Sequence, residues 1–252
     1  MDFTIAYPKM DDIKTALFIQ PHPDDNEIGA GGTMAYLVKK GVKVYGLTVT
    51  QGRGGSNDPA ITPEMLGEIR QKEAQAAMDI TGTINLGDLG YHDQNPATHE
   101  QLVKDFVRVI REVKPDAIFT VDPDLPNEMH PVHIQTGKAL CEAFMRCGQP
   151  YYPYEDNRPH PDAFSVKIIG FYFTSDDNTT VDITDYIETK MEAIRAHQSQ
   201  MDEQQIQMFY SLFEMMAYNT SYKYAERFKL LDATLTHCFA IPKELKAKLN
   251  EK

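Results

Sequence analysis

The six residues His22-Pro23-Asp24-Asp25-Asn26-Glu27 hold three carboxylates and one imidazole. Adjacent carboxylates repel, and burying them uncompensated is costly. The segment is therefore a solvated turn, or it sits around something positive. A second pair, His130 and His133, stands three residues apart in Met129-His-Pro-Val-His133. Brought together, the two segments could offer two imidazoles and one carboxylate to a divalent ion and leave a position open for water. That is the donor set of a catalytic zinc site. A bound cation would favour the ionised carboxylates. Asp24, next to a ligand, could take the proton of a bound water, and the histidine left over could stabilise an oxyanion or protonate a leaving amine. The alternatives are ordinary: a solvated HPDD turn, and a helix cap with one surface histidine. Which histidine binds the ion is a matter of geometry that spacing does not give.

Both segments follow what read as buried strands. Thr15–Gln20 is a short apolar run that precedes His22, and Asp116–Val121 (DAIFTV) precedes His130. Further strands are expected at Val42–Thr50, Thr83–Leu86 and Ser165–Thr174. Helices are expected over Thr33–Lys40 (stopped by Gly41), Thr62–Ile80, Glu100–Val113, Pro131–Cys147, Asp185–Met201 and Asp202–Phe228. The alternation implies an α/β fold, a Rossmann-like, mainly parallel sheet with helices on both faces. Ligands in such sheets bind beyond the carboxyl ends of the strands, where both segments lie. Gly29, Gly31 and Gly32 do not spell GxGxxG, so no dinucleotide fingerprint is present. Their expected use is a tight turn and a close approach of helix to strand.

The 252 residues suit one large domain, with a core over about 12–147 and a C-terminal lid or oligomerisation part over about 148–252. Ile168, Phe171 and Phe173 suggest that the second part packs on the same core. Thirty-seven acidic against 25 basic residues give a net charge of −12, which disfavours nucleic acid or an anionic membrane as partner. No apolar run approaches the roughly 20 residues needed to span a bilayer, and the N-terminus has no signal-peptide pattern. Cys141, Cys147 and Cys238 form no CxxC pair, as expected of reduced thiols in a cytoplasmic protein. His92, His99, His160 and His237 have no comparable context and read as structural or surface residues.

The stretch PHPDDNEIGAGGTMAYL resembles the signature of the PIG-L/LmbE family of zinc-dependent de-N-acetylases, and MHPVH resembles that family's HPDH. A third, weaker likeness is AHQSQ (Ala196–Gln200), similar to the family's HxSQ stretch. The resemblance implies an LmbE-like fold, one Zn2+ per subunit, and removal of the N-acetyl group from an N-acetylglucosamine-containing small molecule. It implies His22, Asp25 and His133 as zinc ligands, Asp24 as general base and His130 as oxyanion stabiliser. It also implies Arg70 and His197 as substrate-binding residues, and a homotrimer or homohexamer. From the residues alone, Arg70 reads equally as an i,i+3 partner of Glu73, and His197 as a cap or surface group. Val132 stands where the family has an aspartate, so another group must hold the tautomer that the aspartate would hold; Glu128 is close but has no assigned place. Glu27 is expected to cap the helix start or to orient a ligand. The aromatics Tyr151, Tyr152 and Tyr154 could stack on a sugar or pack a loop. Two other classes share the His/Asp/His set: a non-haem iron redox enzyme and a zinc- or sugar-binding protein without catalysis.

Overall fold

The computed structural model describes residues 8–94, 97–238 and 240. Its elements are β1 (Thr15–Gln20), α1 (Asp25–Lys39), β2 (Lys43–Thr50), α2 (Pro63–Thr81), β3 (Ile84–Tyr91), α3 (His99–Val113), β4 (Ala117–Val121), α4 (Pro131–Arg146), β5 (Ile168–Tyr172), β6 (Thr179–Asp182), α5 (Ile187–Arg195), α6 (Glu203–Met216) and β7 (Ala225–Asp232). One sheet runs in the order β3-β2-β1-β4-β5-β7-β6. The first five of these strands are parallel. β7 is antiparallel to both β5 and β6. Strand order reverses between β1 and β4, and the crevice beyond their carboxyl ends is where such a sheet binds its ligand.

The period of two along β1 divides the core. Ala16 and Phe18 pack with Met34 and Leu37 of α1 on one face. Leu17 and Ile19 pack with Phe106 and Ile110 of α3 and Leu140 of α4 on the other. Thr62 starts α2 as expected, accepting from the Met65 amide at 3.3 Å with a proline in the first turn. Among the described residues no helix is long and apolar enough to cross a membrane.

Three expectations are corrected. α1 begins at Asp25, not Thr33, so the glycines lie inside the helix rather than in a turn before it. Packing overrides their poor helix propensity. A Cβ on Gly29 would fall 2.1 Å from the Tyr172 ring, and one on Gly32 would fall 2.8 Å from Ile183. The expected helix over Asp202–Phe228 ends at Met216. Asn219 takes a left-handed φ of 65°, and the chain returns as β7. There Phe228 and Leu230 alternate with Arg227 and Lys229, a strand period. Finally, β3 extends to Tyr91, well past Leu86.

The C-terminal part is therefore built into the sheet through β5, β6 and β7, and α5 packs on α1. A buried ion pair fastens it there. Lys190 of α5 and Glu226 of β7 form a fully desolvated pair. The Lys190 ammonium also donates to the Ile28 carbonyl at 2.7 Å. Glu226 accepts from the amides of Gly32 and Thr33 at 2.9 and 2.8 Å. Neither residue is visible as a pair in the sequence.

Gly29→Ala is expected to cost about 1–3 kcal/mol through overpacking against Tyr172. For a chain of this size that lowers Tm by roughly 2–4 °C per kcal/mol. Thermal unfolding of the two proteins side by side checks it, and an unchanged Tm would mean the contact is not tight.

Candidate active site

The turn between β1 and α1 is shaped by a carboxamide that the sequence does not single out. Gln20, the last residue of β1, accepts from the Asn26 amide at 2.8 Å and from the Asp24 amide at 3.4 Å. Its own amide is held by Thr48 on β2 at 2.9 Å. Asn26 is clamped in turn by the Tyr172 hydroxyl at 2.9 Å. The turn forces Asp24 to a φ of 137°, a left-handed conformation that favours glycine. Such strain costs on the order of 1–3 kcal/mol and concentrates at functional sites.

Three imidazoles converge above this turn. His22, His130 and His133 each present a nitrogen within 4.8 Å of the other two. Asp25 is wedged among them, with Oδ2 3.4 Å from His22 Nδ1 and Oδ1 3.4 Å from His133 Nε2. Oδ2 also accepts from the His22 amide at 2.8 Å. Two donor sets are therefore possible: the three histidines, or His22, Asp25 and His133. Both fit a nitrogen- and oxygen-liganded divalent ion. The Asp25 carboxylate lies between two of the rings, and His22 and His130 both border the cavity. Burial would raise the pKa of Asp25, but hydrogen bonds from His133 and His22 hold it well below the usual carboxylate range. His130 is pushed down by burial and by the two neighbouring imidazoles, so at neutral pH it is a neutral N–H donor.

Asp24 faces the other way. Arg70 Nη2 donates to its Oδ2 at 3.0 Å and to the Pro23 carbonyl at 2.7 Å. Arg70 Nη1 donates to the Gly52 carbonyl at 3.1 Å. Burial, then the charge of Asp25, pushes Asp24 up to about 6, against the opposing pull of Arg70, His197 and His22. The alternative partner for Arg70 is excluded, since Glu73 instead accepts from the amide and hydroxyl of Ser199, each at 2.7 Å.

His197 is fully buried, with Nε2 3.5 Å from the equally buried Glu27 carboxylate. It does not line the cavity that Asp24 borders, and its charge acts on Asp24 from inside the protein. Glu27 accordingly neither caps the helix nor touches the metal cluster; its partner is His197. Arg70 does border the cavity, a space of about 620 Å3 whose walls include His22, Asp24, Asp93, His130, Val132 and Gln200. Arg70 Nε and Asp93 Oδ1 are buried without a hydrogen-bond partner. Asp93 and Gln200 were not foreseen. Asp93 follows the carboxyl end of β3, where a functional residue belongs, but ending that strand at Leu86 hides the signal. Of the other histidines, His99 pairs with Glu142 at 3.0 Å, and His160 bonds the Pro153 carbonyl at 2.9 Å, both away from the cluster.

A profile of the PIG-L family, described as GlcNAc-PI de-N-acetylase, matches residues 17–144. Over 241 residues the chain is 32% identical to diacetylchitobiose deacetylase of Thermococcus kodakarensis, covering 94% of this chain and 90% of that protein. Over 191 residues it is 30% identical to the probable N-acetyl-alpha-D-glucosaminyl L-malate deacetylase 2 of Bacillus cereus, covering 74% and 83%. The solved structure of N,N'-diacetylchitobiose deacetylase from Pyrococcus horikoshii, complexed with its inhibitor MPG, superposes with a TM-score of 0.84 at 30% identity, covering 94% of this chain and 90% of that one.

Ion uptake by the cluster should compete with protons. Burial alone would depress His133, but Asp25 and then Glu128 outweigh it and push its pKa up to about 9. A protonated imidazole has no lone pair for a metal, so apparent affinity should fall as pH falls below about 9, by roughly tenfold per unit for one displaced proton. Chelator-competition titration with Zn2+ at several pH values checks this; a flat profile below that value would contradict it.

Proposed function

The chain belongs to the PIG-L family of GlcNAc-PI de-N-acetylases, and from that membership we propose a mechanism, a metal and a substrate class. It is a hydrolase of N-acetyl amides on small molecules that contain N-acetylglucosamine. The observation that carries the mechanism is the division of two adjacent carboxylates: Asp25 faces two imidazoles, and Asp24 faces Arg70 and the cavity.

In the proposal, His22, Asp25 and His133 hold one Zn2+ per subunit, which when bound would acidify a water and polarise the acyl carbonyl. Asp24 removes the proton of the attacking water. Its pKa near 6 leaves it ionised at neutral pH yet basic enough for the transfer. Arg70 fixes its carboxylate at 3.0 Å. His130, neutral and on the cavity side, donates its N–H to the carbonyl oxygen as negative charge develops there, and the proton taken up by Asp24 passes to the departing nitrogen. The C–N bond breaks, and acetate and a free amine leave.

Arg70, Asp93 and Gln200 line the same cavity as Asp24 and His130, and their polar side chains suit the hydroxyls of a sugar. The cavity has room for more than one ring, and the substrate proposed is an N-acetylglucosamine saccharide of disaccharide size. The proposal extends to a cytoplasmic homotrimer or homohexamer. All three cysteines are free, and Met208, Met215 and Tyr218 give exposed apolar surface.

Acetate release from N-acetylglucosamine, diacetylchitobiose and N-acetylglucosaminides, with Zn2+ added and removed, tests the reading. Metal-dependent release is expected; release from none of them would return the redox and binding-only alternatives. Asp24→Asn and His130→Ala are each expected to retain Zn2+ and lose at least about 100-fold in kcat. Wild-type turnover in either would remove that residue from the mechanism.

Asp24 must be ionised to act, so kcat/KM is expected to fall as pH drops through its pKa, about 6 without metal and lower with a cation beside it. Arg70 lowers that pKa, so Arg70→Gln should move the acid limb to higher pH. A limb that stays in place or moves down would show that Arg70 does not act on the base.

A further inference from the structure

Glu128 lies in the loop between β4 and α4 and belongs to neither sequence motif. Its side chain is only 14% exposed. One oxygen, Oε2, is 2.9 Å from His133 Nδ1. The other, Oε1, accepts from the main-chain amide of His130 at 2.7 Å. Glu128's own amide is tied back to the Leu125 carbonyl at 3.0 Å. A single carboxylate thus grips both histidines of the HPVH segment, one through its ring and one through its backbone. Val132, at the position between them, is 2% exposed and brings no polar group.

We propose that Glu128 is the positioning residue of the metal centre, supplying from outside the HPVH motif the carboxylate that the motif lacks. The inference rests on the reading of His133 as a metal ligand. An imidazole has two nitrogens, and a carboxylate can only accept. Glu128 therefore holds a ring proton on Nδ1, so that the proton a metal would displace is the one on Nε2. Nε2 is the atom that faces Asp25, 3.4 Å away. The same carboxylate sets where His130 stands, because His130 is the residue immediately before the first turn of α4. Ligand orientation and oxyanion donor are thereby coupled through one side chain.

The geometry makes a specific substitution informative. Glutamine has nearly the shape of glutamate but carries one acceptor and one donor. If its oxygen keeps the His130 amide, its NH2 meets His133 Nδ1 and drives the ring proton to Nε2, where it blocks ligation. If it turns over, the NH2 confronts the His130 amide, donor against donor. It can satisfy one contact and not both.

Wild-type, Glu128→Gln and Glu128→Ala proteins are compared in two measurements: Zn2+ affinity by chelator competition, and ring-15N spectra of the histidines with and without Zn2+. For the wild type, His133 is expected to show a hydrogen-bonded Nδ1–H and a metal-shifted Nε2. Both variants are expected to bind Zn2+ about 10–100-fold more weakly and to lose that Nδ1–H signal, with the far-UV circular dichroism unchanged. Folded variants within twofold of wild-type affinity would overturn the proposal. So would a wild-type His133 that ligates through Nδ1, a result that needs no variant to fold. If the wild type takes up no divalent ion, the metal reading fails instead, and the Nδ1–H signal of the metal-free protein still decides the contact.

Discussion

Three carboxylates buried within the start of one helix are the constraint on which the structure turns. Asp24, Asp25 and Glu27 are each less than a tenth exposed. Removing ionised groups from water costs on the order of several kcal/mol apiece unless they are paired and hydrogen-bonded. Each is compensated from a different direction: Asp25 by His22 and His133, Asp24 by Arg70, and Glu27 by His197. The nearest partner of each carboxylate is different, although His22 and His197 also act on Asp24 through their charge. That separation gives adjacent carboxylates different chemistry, one held well below and one raised above the ordinary range.

The compensating groups come from α2, α4 and the segment after α5, so the sheet has to deliver them. The strand order places the ends of β1 and β4 side by side, which brings His130 and His133 over the turn that holds His22. α2 packs beside α5 and sends Arg70 under Asp24, while the Ser199–Glu73 contact ties the segment after α5 to α2. α1 could not lie so close to β5 with a side chain at Gly29. The Lys190–Glu226 pair then locks the C-terminal elements onto the middle of the same helix. Fold and site are therefore one arrangement: the second part of the chain packs on the helix that starts at the acidic turn.

The parts of the fold that were legible are those with strong periodicity or a marked start. β1, β2, β4 and the helices α2, α3 and α4 fall within a few residues of their expected bounds. The misses have identifiable causes. The glycines at the start of α1 read as a turn because propensity is local, whereas close packing on Tyr172 and Ile183 is not. The first half of β7 falls inside the expected helix over 202–228, although the alternation of Phe228 and Leu230 with charged neighbours is a strand period. β6 is four residues long and exists only by pairing with β7.

For the site, sequence alone singled out His22, Asp24, Asp25, His130 and His133, and the strand order brings them together beyond the ends of β1 and β4. Types and spacings are properties of the chain, and a parallel α/β sheet turns them into a common location. Only tertiary structure decided what each group does next to its neighbours. Arg70 faces Asp24 rather than Glu73, His197 closes on Glu27, and Glu128 bonds His133 and the His130 amide beside Val132. These are contacts between residues up to about 170 positions apart. A pKa, a tautomer or a wall of a cavity is set by which groups lie within a few ångströms, and distance along the chain carries no record of that.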